Sequence, residues 1–352
     1  MHCIVMAGGT GTRFWPYSRV SKPKQILKII GNNTMLQMTI DRLNKCKKTE
    51  AVYISTRMDL VDEIKKNIVG VLPENMIAEP SGKNTAPCIG LSALKIANMD
   101  GEAVMGIFPS DHLVVGHRAF EKALNQAARV AIEDEGLVTI GIQPSFPSTA
   151  YGYIQFDPES KVDKMDVFPV RTFAEKPHLN VAKRFIDSGD FLWNAGMFIW
   201  KVDVFMDQLG KHMPELCSQL IKIEKRIKAG KSFKDIWSDL KPESIDYGLM
   251  EKADNIFVVK AEFKWNDLGS WNAVYDEMPK GKNGNLIKGD GVVIDGKNNF
   301  IQNDNHFTAI VGLENIVVIN TPDATLVVNK DNVEDVRKVV NYLQEKDRKN
   351  LL

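Results

Sequence analysis

The residues best suited to chemistry lie at the start of the chain. Ala7-Gly8-Gly9-Thr10-Gly11-Thr12-Arg13-Phe14-Trp15-Pro16 runs on to Pro23-Lys24-Gln25, and the cations Arg13, Arg19, Lys22, Lys24 and Lys28 follow the glycines. Glycines reach dihedrals closed to other residues and let backbone N–H groups approach an anion, while Arg13 and Lys24 add the charge that N–H groups lack. This is the layout of a phosphate site; the plainer alternative is a glycine-rich turn with incidental surface cations. A P-loop would end in Gly-Lys-Ser/Thr. A dinucleotide fingerprint would place a third glycine where Phe14 stands and start a helix at once, which Trp15-Pro16 discourages.

Other candidates are scattered. Asp111 follows the apolar run Ala103–Phe108. A lone acid at a strand end beside a phosphate suits magnesium, which takes one or two protein carboxylates plus phosphate oxygens and water; a turn or N-cap aspartate is the other reading. Asp267, in Lys264-Trp-Asn-Asp-Leu-Gly-Ser-Trp271, is a second isolated acid. It would complete a metal clamp with Asp111, one from each half of the molecule, or cap a helix beginning near Ser270. Glu175-Lys176 pairs a hydroxyl acceptor with a phosphate-seeking ammonium, unless it is a surface ion pair. Gly152 inside a β-rich run marks close approach by a ligand. Asn194, the single amide among Trp193, Phe198 and their apolar neighbours, needs partners, either a ligand hydroxyl or local backbone. Glu79-Pro-Ser-Gly-Lys-Asn-Thr-Ala-Pro87 reads by itself as a turn capping a helix through Asn84 or Thr85.

These residues must be held by regular elements. From Cys3 to about Ile142, apolar runs of strand length alternate with amphipathic helical stretches near 34–46, 59–67, 85–98 and 118–133. The alternation predicts a Rossmann-like, mixed but mostly parallel sheet sandwiched by helices, with ligands at the carboxyl ends of the strands. Val167–Phe173 and Asn255–Ala261 read as strands, and Val202–Ala229 and Ser244–Lys252 as helical. After Met278 the texture changes to short β runs broken by Gly or Asn, as in a small stacked β element or a short left-handed β-helix. Asp331 followed by Glu334 and the stripe Val336, Val340, Leu343 predicts a capped terminal helix. The division expected is a main region over 1–278, in two halves that part at about 145, then an appended region over 279–352. The terminal stripe must pack on something, and a homodimer through this C-terminal region is expected.

In the 352 residues, Lys plus Arg and Asp plus Glu balance at 45 each. Bulk charge therefore supports neither nucleic-acid nor membrane-surface binding, and an anion site must be local. Cys3, Cys46, Cys88 and Cys217 show no metal or disulfide spacing, and no run approaches a membrane span; a cytoplasmic location is expected.

Gly8-Gly9-x-Gly11-Thr12-Arg13-x-x-Pro16 followed by Pro23-Lys24 resembles the nucleotidyltransferases that make nucleoside-diphosphate sugars. The stretches 79–87, 109–112, 151–154, 174–177, 192–198 and 265–271 bring the resemblance nearest to the GTP-using branch that acts on mannose 1-phosphate. The resemblance implies transfer of GMP from GTP to mannose 1-phosphate, with Mg2+. It places Ala7, Gly8, Gly9, Gly11, Thr12, Arg13, Glu79, Gly82, Asn84 and Thr85 on the nucleotide. Arg13 falls to the departing phosphates, Lys24 to the α-phosphate and Lys176 to the sugar phosphate; Gly152, Glu175 and Asn194 hold the sugar, and Asp111 and Asp267 the metal. Lys22 departs from the usual pattern and leaves two lysines competing for the α-phosphate. A catalytically silent sensor of nucleotide sugars would discard some of Arg13, Lys24, Asp111 and Asp267, and all are present.

Overall fold

The structure is a computed structural model that describes residues 1–9, 11–304 and 306–352. The chain divides into two compact units: Met1–Gly8, Thr39–Ser110 and Val114–Trp265 form one, and Gly9–Met38, Asp111–Leu113 and Asn266–Leu352 the other.

The first unit is built on a nine-stranded sheet. Strands β1 (His2–Met6), β2 (Ala51–Arg57), β3 (Met76–Glu79) and β4 (Val104–Pro109) come early, and the three-residue β5 (Leu113–Val115) leads out of the sheet. Strands β6 (Leu137–Ile142), β7 (Tyr153–Phe156), β8 (Val167–Ala174), β9 (Phe191–Lys201) and β10 (Ile256–Ala261) follow. The spatial order is β3-β2-β1-β4-β9-β6-β10-β8-β7.

The sheet is mixed rather than mostly parallel. β1 pairs in parallel with β2 and β4, β2 with β3, and β6 with β10. Every pairing of β9 and β8 is antiparallel. Two strands account for the antiparallel pairings: β9, an 11-residue strand that enters between β4 and β6, and β8, which lies between β10 and β7. Alternation of strand and helix signals parallel crossovers but carries no trace of one long strand inserted against the grain.

Helices cover both faces, and the chain also carries α1 (Met35–Asn44), α2 (Val61–Asn67), α5 (Leu179–Ser188) and α8 (Lys234–Ser238). Ile107 joins the core with α3 (Thr85–Ala97), α6 (Val202–His212) and α7 (Pro214–Lys228), through Ile89, Leu94, Phe205 and Leu220. Its neighbour Phe108 meets Phe120 of α4 (His117–Glu133) at 6.2 Å on the opposite face, as the two-residue period of a strand requires. The stretch read as one helix over 202–229 is the pair α6–α7, interrupted at Met213 before Pro214, a residue suited to a first helical turn. The expected helix over 244–252 is a π-helical turn, Asp246–Met250.

β11 (Lys264–Asn266) falls where the chain leaves the first unit. In the second unit, α9 (Trp271–Glu277) precedes short strands β12 (Leu286–Lys288), β13 (Gly291–Ile294), β14 (Phe300–Asn303), β15 (Thr308–Val311), β16 (Ile316–Asn320) and β17 (Thr325–Asn329). β12, β14 and β16 stack in parallel, with Leu286 beside Phe300 and Phe300 beside Val317, while β17 closes antiparallel on β16. Asparagines satisfy the turns: Asn285 Oδ1 accepts from Asn299 N at 2.9 Å, and Oδ1 of the buried Asn299 from Ile316 N at 2.9 Å. The terminal helix α10 spans Val336–Glu345, and a 3-10 stretch, Lys330–Asp335, precedes it. The residue capping that stretch is Asn329, whose side chain accepts from Asp331 N, and not Asp331. The stripe Val336, Val340, Leu343 packs inside its own unit against Phe14 and Trp15. Among the described residues, no helix is long and apolar enough to cross a membrane.

Candidate active site

In the second unit, Gly11 takes a left-handed conformation, φ 63°, before the 3-10 turn Thr12–Phe14. A Cβ on Gly11 would lie 2.6 Å from Lys24 Cβ and 2.7 Å from Lys24 N, so both dihedral and space demand glycine. The loop is fastened at both ends: Ser18 Oγ donates to Gly11 O at 2.7 Å and Gln25 Nε2 to Gly9 O at 3.1 Å.

Lys24 is buried, whereas Lys22 is exposed. Lys24 Nζ sits 2.8 Å from Asp111 Oδ2 and donates to the backbone carbonyl of Asp267 at 2.7 Å. Asp111 and Asp267, expected one from each half, thus fall in one unit and meet at one ammonium. The Asp267 carboxylate accepts from Gly269 N at 3.0 Å, and the helix α9 is capped by Ser270, whose side chain accepts from Ala273 N. Burial raises the Asp111 pKa, but the Lys24 charge, His112 and the Lys24 hydrogen bond outweigh it and hold the carboxyl below its ordinary value. Asp111 therefore stays ionised at neutral pH. A hard, ionised carboxylate is donor chemistry that suits a divalent cation on phosphate oxygens, and Asp267 reaches the same ammonium through its backbone carbonyl. Arg13 Nε lies 3.6 Å from Glu334.

In the first unit, Gly8, Arg57 and Glu79 stand at the carboxyl ends of adjacent parallel strands. Ala7 spends its N–H on Ser55 O at 2.7 Å and its carbonyl on Thr56 Oγ1 at 2.9 Å. Its backbone groups serve the sheet. Glu79 is 3 % exposed, and burial lifts its pKa, opposed by hydrogen bonds from Cys88 and Ser55 and by Arg57. Asn84 caps α3 by accepting from Thr85 N at 2.8 Å. Thr85 Oγ1 accepts from Ile245 N at 2.8 Å, and Gly82 lies against Arg57. This loop is also anchored from below: Lys83 Nζ donates to Leu240 O at 2.8 Å and Trp237 Nε1 to Ser81 O at 2.8 Å.

A second constellation in the same unit gathers Gly152, Glu175, Lys176 and Asn194. A Cβ on Gly152 would collide with the Glu175 carboxylate and come 3.5 Å from Asn194 Cβ, so the close approach signalled by this glycine is made by Glu175 itself. Glu175 pairs with the exposed Lys176, which takes a positive φ of 47°. Asn194 donates from Nδ2 to Asp246 at 2.8 Å and accepts on Oδ1 from Gly196 N at 3.0 Å and Thr139 Oγ1 at 3.2 Å. Asp246 is the residue that sequence reading missed. Its pKa is pushed up to about 6, first by burial and then by the Glu175 charge, against the Asn194 bond. Tyr151 meets Trp193 at 5.0 Å and Trp265 at 5.2 Å, both edge to face.

Comparison with known proteins places the chain in a class. Residues 2–283 match the Nucleotidyl transferase family, and residues 289–343 match the MannoseP isomerase/GMP-like beta-helix domain. The fold is the nucleotidyltransferase α/β fold with a C-terminal beta-helix-like domain. The mannose-1-phosphate guanylyltransferases of Klebsiella pneumoniae and Escherichia coli are each 36% identical over 98% of this chain and 74% of their own length. The crystal structure of a mannose-1-phosphate geranyltransferase from Thermus thermophilus superimposes with a TM-score of 0.86 at 30% identity, covering 97% of this chain and 99% of that one. The chain belongs to the nucleotidyl transferase family, in its mannose-1-phosphate guanylyltransferase branch.

Proposed function

We propose that this enzyme transfers GMP from GTP to α-D-mannose 1-phosphate, giving GDP-mannose and pyrophosphate. A phosphate oxygen of the sugar phosphate attacks the α-phosphorus, and the bond from that phosphorus to the oxygen bridging to the β-phosphate breaks. Two polyanions have to be aligned and their charge offset, so no protein nucleophile is needed. Lys24 takes the α-phosphate, Arg13 the departing phosphates, and Lys176 the sugar phosphate. Ala7, Gly8, Gly9, Gly11 and Thr12 serve the nucleotide on its phosphate side; Glu79, Gly82, Asn84 and Thr85 serve the guanosine end. Gly152, Glu175 and Asn194, with Asp246 behind Asn194, hold the sugar. Asp111 and Asp267 would hold Mg2+, which supplies charge neutralisation on the triphosphate.

The observation that carries this reading is the buried Lys24 ammonium, 2.8 Å from Asp111 and 2.7 Å from the carbonyl of Asp267. We take 1–278 as the catalytic region and 279–352 as its appendage in a cytoplasmic enzyme. A homodimer through the C-terminal region would use the exposed Ile294, Val311, Leu313 and Val327 rather than α10, whose stripe is already covered. The test is pyrophosphate release with each of the common nucleoside triphosphates and several sugar 1-phosphates, with and without Mg2+. Turnover confined to GTP with mannose 1-phosphate is expected; equal turnover with UTP or glucose 1-phosphate would overturn the assignment.

A further inference from the structure

The phosphate loop is held from outside its own motif. Within the second unit, the Trp15 indole N–H donates to the carbonyl of Leu351 at 2.8 Å. Leu351 lies in the 3-10 turn Lys349–Leu351 that follows α10. A largely buried indole N–H needs an acceptor, and this one is a backbone carbonyl far along the chain. Phe14 is 1 % exposed and Trp15 7 %, in a cluster with Val336, Val340 and Leu343 of α10. Glu334 meets Arg13 through Nε, at 3.6 Å, which leaves the terminal guanidinium nitrogens for other acceptors. Arg19 pairs with Asp323 at 2.9 Å, and Lys288 Nζ donates to Ile29 O at 3.0 Å. The backbone that carries Arg13 and Lys24 is thus fixed by residues beyond 280.

We propose that the terminal helix and the turn after it act as a clamp that sets the phosphate loop, which makes Trp15, Leu351 and Glu334 positioning residues for the nucleotide. The proposal rests on reading Gly8–Gln25 as the phosphate loop. A clamp of this kind acts on the nucleotide and leaves the sugar phosphate alone, a split that a general loss of stability would not produce.

The test compares the intact chain with Trp15→Phe, which keeps the ring and loses only the N–H donor, with a chain lacking residues 347–352, and with the two combined. Expected are a roughly tenfold fall in kcat/KM for GTP in each, a KM for mannose 1-phosphate within twofold of the parent, and a combined loss no larger than either alone. Glu334→Gln, an exposed change, should raise the KM for GTP about threefold. Unchanged GTP kinetics in Trp15→Phe, or losses that multiply to about a hundredfold in the combined protein, would overturn the clamp. If the parent chain releases no pyrophosphate from any substrate pair, the functional assignment is what fails. The same variants then test the clamp by their GTP dissociation constants, expected to weaken about tenfold and overturning it if unchanged.

Discussion

Asp111 and Asp246 each meet a nitrogen at 2.8 Å, yet their surroundings move the two carboxyls in opposite directions. At Asp111 the nitrogen is the Lys24 ammonium, and the charge holds the carboxyl below its usual value despite burial. At Asp246 it is the Asn194 amide, with Glu175 adding a like charge, and the carboxyl rises to about 6. The side we assign to phosphates keeps a compensated acid that is ionised throughout the neutral range. The side we assign to the sugar keeps an acid that is easily protonated, beside the Asn194 amide and the Glu175 charge. The difference fits the ligands assigned to each: phosphates and a cation need fixed charge, whereas hydroxyls are recognised by hydrogen bonds of either polarity.

The comparison breaks first at Lys24. Lys24→Ala removes the only cation seen to join both metal-candidate segments among the described residues and should cost about 3 to 4 kcal/mol of transition-state stabilisation, two to three decades in kcat. Pyrophosphate release by a variant with native circular dichroism checks this, and near-normal turnover would return the role to another group. Gly152→Ala comes next, because the new methyl meets the Glu175 carboxylate. The KM for mannose 1-phosphate should rise about tenfold while that for GTP holds; a parallel rise in both would mean that Gly152 serves the fold rather than the sugar.

Asp246→Asn sharpens the contrast through pH. Because the folded pKa of Asp246 is raised from 3.8 to about 6, its contribution favours the folded state at acid pH and is lost as pH climbs from about 4 to 6. The Asn variant should therefore be more stable than the parent at pH 8, by up to about 3 kcal/mol and less in proportion to the solvent the half-buried carboxyl sees, with the gap closing below pH 4. Its KM for mannose 1-phosphate should rise about fivefold. Urea midpoints across pH decide the matter: a gap that widens on acidification contradicts the assignment. The smallest effect is expected at Lys22, exposed beside the buried Lys24. Lys22→Ala should change kcat less than twofold, and a larger loss would make it the α-phosphate lysine.

What was legible in the sequence was contiguous. The glycines, Arg13 and Lys24 lie in one short stretch, and Gly11 proves to need its glycine because Lys24 packs against it. Asp111 was readable because a strand ends just before it. Asp246 was not: its partner Asn194 is 52 positions away, and a helix-like pattern around it concealed a π-helical turn. Direction within the sheet was equally hidden, since β9 has the same apolar pattern whichever way it runs. Asn329 displaced Asp331 as cap because a 3-10 stretch, shorter in period, comes before α10.

The bond from Lys24 to Asp267 joins positions 243 apart. On a ribosome adding roughly 5 to 20 residues each second, the N-terminal loop emerges about 12 to 50 s before its acceptor exists. Through that interval Phe14 and Trp15 lack the C-terminal residues that later cover them. The N-terminal loop can therefore take its final packing only once the C-terminal residues have been made, so its order comes late in synthesis.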